Sequence, residues 1–247
     1  NTAEALRYCT QAYNLTQGSE YVVDVDMGDL SSEGPHPDLA AAASYYSQAL
    51  GVEPHHEPSV IIKLVHSYEG MGNWSQASKD LQRGIAEYPQ SAALHFEFGY
   101  LLALADEYAL AADQFRQVIK FEPENTFGTY NLALLLEHLN KAQDAQTYYR
   151  RALDISPNFG LGHYDYGRFL LAQSRPAAAI TELEKAIQIT QQEKSLVLEA
   201  KALNVLAQAY DAINVATKAA QARAMVEQLG FPPTTTPMPI SPLSPNQ

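Results

Sequence analysis

The chain has 247 residues, 46% of them hydrophobic and only 18% charged, and its formal net charge is −12 from 28 acidic and 16 basic side chains. A chain this acidic, with no clustered Lys/Arg stripe, repels phosphate backbones, so no nucleic-acid partner is expected. No stretch approaches the ~18 consecutive apolar residues of a spanning helix, so direct membrane insertion is not expected either. The single cysteine, Cys9, has no partner for an internal disulfide, and at an apolar position of an amphipathic stretch it is expected to be a small core residue rather than a nucleophile. The chain begins with Asn1 rather than Met, as a fragment or a trimmed mature form would, and its compartment stays open.

Taken in chain order, residues 2–16 (TAEALRYCTQAYNLT) have the pattern of an amphipathic helix. A second such helix is expected over 38–53 (DLAAAASYYSQALGVE), with Ala42, Tyr46 and Ala49 on its packed face. The helix before it would fall in 21–34, where Met27-Gly28 supplies a large–small pair, against a local composition rich in β-branched and acidic residues.

From residue 58 the pattern becomes periodic. Pro89, Pro123 and Pro157 are equally spaced, and Pro54 precedes them by one place more than that interval. Each closes an amphipathic stretch that a proline cannot continue. The segments starting at Pro58, Ala92, Thr126 and Gly160 share the same interval, a period of about 34 residues. A fifth segment begins near Ala200 after an insertion of six. The same slots recur in them. Slot seven is bulky (Leu64, Phe98, Leu132, Tyr166, Leu206) and slot eight is small in four of five (Gly99, Ala133, Gly167, Ala207). Slot eleven is large (Tyr68, Leu102, Leu136, Leu170, Tyr210), and slot twenty is always alanine (Ala77, Ala111, Ala145, Ala179, Ala219).

Spacings of three and four place the bulky slots on one face of each of two helices. The small residues at slots eight and twenty let those helices approach closely, which makes each segment a helical hairpin. A single hairpin leaves its second face bare, so the hairpins must stack and share a continuous core. The last helix ends near Gly230, and the remainder, FPPTTTPMPISPLSPNQ, is expected to be a disordered or polyproline-like tail.

This pattern resembles the tetratricopeptide repeat, most closely in DEYALAADQFRQVIKFEPEN at 106–125 and KAQDAQTYYRRALDISPN at 141–158. The resemblance implies an all-α fold, a right-handed superhelical solenoid of stacked antiparallel helix pairs. It divides the chain into degenerate N-terminal repeats (1–57), four repeats (58–193), a C-terminal repeat or capping helix pair (194–230) and the proline-rich tail (231–247). Two departures stand out: the family's tryptophan at slot four is replaced by Ile61, His95, Thr129, His163 and Leu203, and Val65 occupies a small slot, which would splay the first full hairpin. Trp74, at a slot usually aromatic in the family, is expected in the core.

The resemblance also implies a function, that of a protein-interaction scaffold rather than an enzyme. First helices in this family line a concave surface on which slots two, five, six, nine, twelve and thirteen are exposed. Here those slots hold Phe96 and Tyr100, then Phe127, Tyr130 and Asn131, then Tyr164, Asp165 and Arg168. Buried tyrosines and arginines anchor interfaces, each contributing ~2 kcal/mol at a hot spot, and an asparagine can pair with a peptide backbone. These eight residues are the candidate partner-binding set, with a protein or peptide as ligand; the same aromatics could instead fill space between hairpins. An assembly factor for a membrane or multisubunit complex, and self-association through the repeat ends into a homo-oligomer, remain as alternatives. The carboxylate clamp of chaperone-binding relatives is not expected, since of Phe96, Tyr100, Asn131, Leu161 and Asp165 at the matching slots only the asparagine fits.

No catalytic or cofactor motif is present: there is no glycine-rich phosphate loop, no nucleophile elbow and no His-Glu-x-x-His. Asp24, Asp26 and Asp29 are spaced like part of a calcium loop, but the sixth place lacks glycine and Pro35 stands where the bidentate glutamate belongs. Neither a metal nor a cofactor is therefore expected.

Overall fold

The computed structural model describes residues 8, 11, 21–33, 36–52 and 57–232. It divides into two compact units, one ending at Glu122 and the other starting at Pro123. The expectations for residues 2–16 and for the proline-rich tail lie outside the described residues. Among the described residues there are twelve helices and no strand.

The first unit holds α1 (Tyr21–Ser32), α2 (Leu39–Ala49), α3 (Pro58–Gly70), α4 (Trp74–Glu87), α5 (Ala92–Leu104) and α6 (Tyr108–Phe121). The second holds α7 (Thr126–His138), α8 (Ala142–Ile155), α9 (Gly160–Ala172), α10 (Pro176–Glu193), α11 (Leu196–Ala212) and α12 (Ala216–Gln228). Helices consecutive in sequence pack together as α1–α2, α3–α4, α5–α6, α7–α8, α9–α10 and α11–α12, and from α3 onward the two helices of each pair are joined by the short turn of a helical hairpin. The fold class is therefore the all-α hairpin array that the repeat period dictates.

Local chemistry starts and stops the helices. Asp38, Asn73, Ser91 and Asn125 cap α2, α4, α5 and α7 by accepting from the backbone N–H three residues on, and Pro58 and Pro176 open α3 and α10. From α3 onward, each hairpin turns through one left-handed residue, at Gly72, Asp106, Asn140, Ser174 and Asn214. Only the first of these is the glycine that such a φ favours.

The core follows the slots. Ala77, Ala111, Ala145, Ala179 and Ala219 are fully buried where the two helices of a hairpin cross. A Cβ on Gly167 would lie 2.7 Å from Leu183 Cγ, so α9 and α10 meet at a distance that only glycine permits. Val65, in the equivalent slot of α3, is buried in a cluster with Ile61, Ala77 and Leu81. Beside it a pocket of about 180 Å³ opens between α2, α3 and α4, lined by Leu50, Ile61, Tyr68 and Arg83 among others. Trp74 departs from expectation. It is 48% exposed at the first position of α4, because the hairpin turn carries that slot away from the helix crossing.

Helix α1 forms despite its composition because tertiary contacts hold it. Asp29 accepts from the Tyr46 hydroxyl at 2.7 Å and from Lys63 Nζ at 2.7 and 2.8 Å, tying α1 to α2 and α3. The Tyr46 ring crosses Gly28 so closely that an added Cβ would stand 2.4 Å from it. Met27 and Gly28 thus form the large–small pair expected of a first helix, and Asp24 and Asp29 lie on a helix rather than in a calcium loop.

Repeats two and four share a device that replaces the family's tryptophan. His95 bonds Pro89 O through Nε2 at 3.0 Å and Gln114 through Nδ1 at 2.7 Å. His163, at the same slot two repeats later, does likewise with Pro157 O at 2.9 Å and Glu182 at 2.7 Å. Each imidazole fastens its first helix to the preceding proline turn and to its own second helix.

Candidate partner-binding site

The eight residues selected from the sequence fall on first helices. Phe96 and Tyr100 lie on α5, Phe127, Tyr130 and Asn131 on α7, and Tyr164, Asp165 and Arg168 on α9. Six of them are buried, however: Phe96, Tyr130, Asn131, Tyr164, Asp165 and Arg168. Tyr100 is partly covered, and Phe127 is 37% exposed. The expectation of eight solvent-facing side chains is corrected accordingly. In the second unit, Tyr130 on α7 and Asp165 and Arg168 on α9 reach across to each other's helix and cover one another.

In the second unit these side chains form one connected polar cluster. Arg168 donates from both terminal nitrogens to Glu137, each bond 2.9 Å long, and from Nε to Asp165 at 3.2 Å. The Tyr130 hydroxyl donates to Asp165 at 2.5 Å, and the Tyr149 hydroxyl to Glu137 at 2.7 Å. Two carboxylates thus meet one forked cation and two phenols, so each buried charge is paired and hydrogen-bonded as burial requires.

Electrostatics follow the packing. Burial works against the charge on Arg168, but its bonds to Glu137 and the charges of Glu137 and Asp165 together outweigh burial and hold the guanidinium ionised above its ordinary range. Burial raises the Asp165 carboxyl, with Arg168 and Tyr130 pulling the other way. The Tyr130 and Tyr149 hydroxyls are raised well above their usual range, by burial and then by the neighbouring carboxylates. Tyr164 is pushed up to about 12, mainly by burial and then by Asp165.

The cluster is sealed by aromatic rings. Tyr130 meets Phe159 edge-to-face at 5.1 Å, and Phe127 meets the same ring edge-to-face at 5.6 Å. Phe127 is the most exposed member of the set. In the first unit Phe96 packs edge-to-face on Phe115 at 5.1 Å, and the Tyr100 hydroxyl is raised by burial and then by the nearby Glu69 and Glu97.

Glu137 and Tyr149 escaped the sequence reading. The signal for Glu137 was present as an acid at slot twelve, one repeat before an Asp/Arg pair spaced three apart, but the partner choice depends on which helices touch. Among the described residues no group of three or more His, Cys, Asp or Glu is placed to hold a metal ion. No helix there is long and apolar enough to cross a membrane.

Helical hairpins repeated along the chain define a helical-repeat interaction scaffold as the class of molecule. Tetratricopeptide-repeat family profiles match residues 62–126 and 136–203, together more than half of the chain, and the chain belongs to that family. Among solved structures it is similar to the C-terminal part of a tetratricopeptide-repeat protein from Cytophaga hutchinsonii, with TM-score 0.76 and 15% identity, covering 93% of this chain and 90% of that one. It is also similar to MamA from Desulfovibrio magneticus, with TM-score 0.62 and 16% identity over 70% and 94% of the two chains. A third similarity is to YrrB, a tetratricopeptide protein described as having an unusual peptide-binding site, with TM-score 0.59 and 15% identity over 74% and 92%. Among curated proteins, the Drosophila melanogaster protein O-mannosyl-transferase Tmtc1 is 27% identical over 126 residues. That match covers 48% of this chain and 15% of the transferase.

Proposed function

We propose that each unit of this scaffold holds a segment of a protein partner against its own first helices, with Tyr100 the accessible aromatic contact in the first unit and Phe127 in the second. The buried residues Phe96, Tyr130, Asn131, Tyr164, Asp165 and Arg168 serve as the rigid support beneath them. The observation that carries this reading is Phe127, a large aromatic 37% exposed yet braced by Phe159 over a fully bonded ionic cluster. An exposed ring held in one place loses little entropy on docking, which is what an interface anchor requires. YrrB, of the same fold, is described as carrying a peptide-binding site, which agrees with a peptide-like ligand.

Affinity capture from the native source tests this, with the full chain, a Phe127→Ala/Tyr100→Ala variant and a Trp74→Ala control as baits. One or two proteins are expected that the parent and the Trp74 control retain and the double variant loses. Equal capture by all three places the contact elsewhere on the chain.

A further inference from the structure

The two units repeat one junction with different chemistry. In the second unit, the contact of α7 with α9 brings together Tyr130, Leu134, Glu137 and Tyr149 from the third repeat with Asp165 and Arg168 from the fourth. Two repeat periods earlier in the sequence, the same slots hold Ile62, His66, Glu69 and Leu81 in the first repeat, and Glu97 and Tyr100 in the second. Both acids persist, as Glu69 for Glu137 and Glu97 for Asp165. Every donor that satisfies them in the second unit has gone: the two phenols become Ile62 and Leu81, and the arginine becomes Tyr100.

What remains in the first unit is half a site. Glu97 is buried, and His66 Nε2 lies 3.2 Å from its carboxylate. Glu69 keeps an Oε1 that is fully buried and has no hydrogen-bond partner. Burial raises the Glu69 carboxyl, Glu97 raises it further, and His66 pulls the other way. An unpaired buried carboxylate oxygen is costly in a folded chain and marks a place where a donor is missing.

We propose that the junction formed by Glu69, Glu97, His66 and Tyr100 binds the guanidinium group of an arginine side chain from the partner segment, in the role that Arg168 plays within the second unit. This rests on the partner-binding reading above and names the side chain that the first unit selects. A guanidinium forks onto a carboxylate with two parallel N–H bonds, as Arg168 does on Glu137, and supplies a donor to Glu69 Oε1. The Tyr100 ring, partly open to solvent, offers a face on which a planar cation stacks. A net charge of −12 draws such a segment in.

The test is a titration of the full chain, isotopically labelled at histidine and tyrosine, with capped arginine amide, capped lysine amide and capped citrulline amide, followed by NMR. Saturable shifts of the His66 and Tyr100 signals are expected with arginine, a response about tenfold weaker with lysine, and none with citrulline. Tyr100→Arg places the missing group on the chain itself; it is expected to raise the thermal midpoint and abolish the arginine response. A silent arginine titration, an equal response to citrulline or lysine, or an unchanged response in Tyr100→Arg overturns the proposal. If the arginine probe is silent while the Phe127/Tyr100 variant still loses its captured proteins, this inference fails and the binding face stands. If the probe binds while that variant captures everything, the binding face fails and the arginine site stands.

Discussion

Arg168 and Glu137 lie 31 residues apart in sequence and are joined by two parallel hydrogen bonds of 2.9 Å, one from each terminal guanidinium nitrogen. The pair fastens the third repeat to the fourth, and Asp165, Tyr130 and Tyr149 complete its bonding. Removing the cation would leave two carboxylates in the interior without a counter-charge. Arg168→Leu is expected to destabilise the protein by about 3–5 kcal/mol in denaturant unfolding, and Tyr130→Phe by about 1–2 kcal/mol. Values near zero for both would show that the cluster is solvated rather than buried.

The α9–α10 crossing depends on Gly167, whose missing Cβ would press on Leu183 Cγ at 2.7 Å and on Ala179 O at 3.3 Å. Gly167→Ala is expected to cost about 1–3 kcal/mol, because the backbone oxygen cannot move aside. Unfolding in urea measures it, and a neutral result would mean that the hairpin opens without strain.

Ser174 turns the same hairpin with φ of 57°, a conformation that glycine adopts freely and serine does not. Ser174→Gly should therefore gain up to about 1 kcal/mol, since relief of strain outweighs the added freedom of the unfolded chain. A lower unfolding midpoint would contradict this.

His66 makes part of the stability pH-dependent. Its hydrogen bond to Glu97 raises its pKa above 6.5 against the opposing effect of burial. A raised histidine contributes stability that is fully present below its unfolded value and is lost as pH rises through the folded value. Thermal midpoints measured from about pH 5.5 to 8.5 should fall with rising pH more steeply in the parent than in His66→Gln; parallel profiles would remove His66 from the linkage. Glu182 acts in the opposite sense: burial raises its pKa, but His163 and Lys185 together outweigh burial and hold it below 4.5, so that contribution disappears on acidification.

The hairpin array was legible because it rests on short-range spacing. Five alanines at slot twenty and the evenly spaced Pro89, Pro123 and Pro157 survive every detail of packing, so Ala145 or Pro157 could be placed from the sequence. Met27-Gly28 was also readable, though α1 needed Asp29's bonds to Tyr46 and Lys63 to overcome its composition. Exposure was harder to read. Tyr130 and Arg168 stand at slots that face outward on an isolated hairpin, and only their reach toward Asp165 and Glu137 on other helices buries them. Trp74 failed in the reverse direction, because its slot lies at the turn rather than at the crossing. The histidine clasps of His95 and His163 were visible only as a missing tryptophan, since their partners are a backbone carbonyl and a residue nineteen positions on.

The central claim is that a partner lies against the first helices, and site-specific photo-crosslinking tests it most directly. A photoreactive phenylalanine at position 127, on first helix α7, is compared with one at exposed Gln143, on second helix α8, each in extract from the native source. Position 127 is predicted to yield a discrete crosslinked protein, identifiable by mass spectrometry, while position 143 yields none. A crosslink from position 143 with silence at 127 would contradict the claim and put the partner on the opposite face.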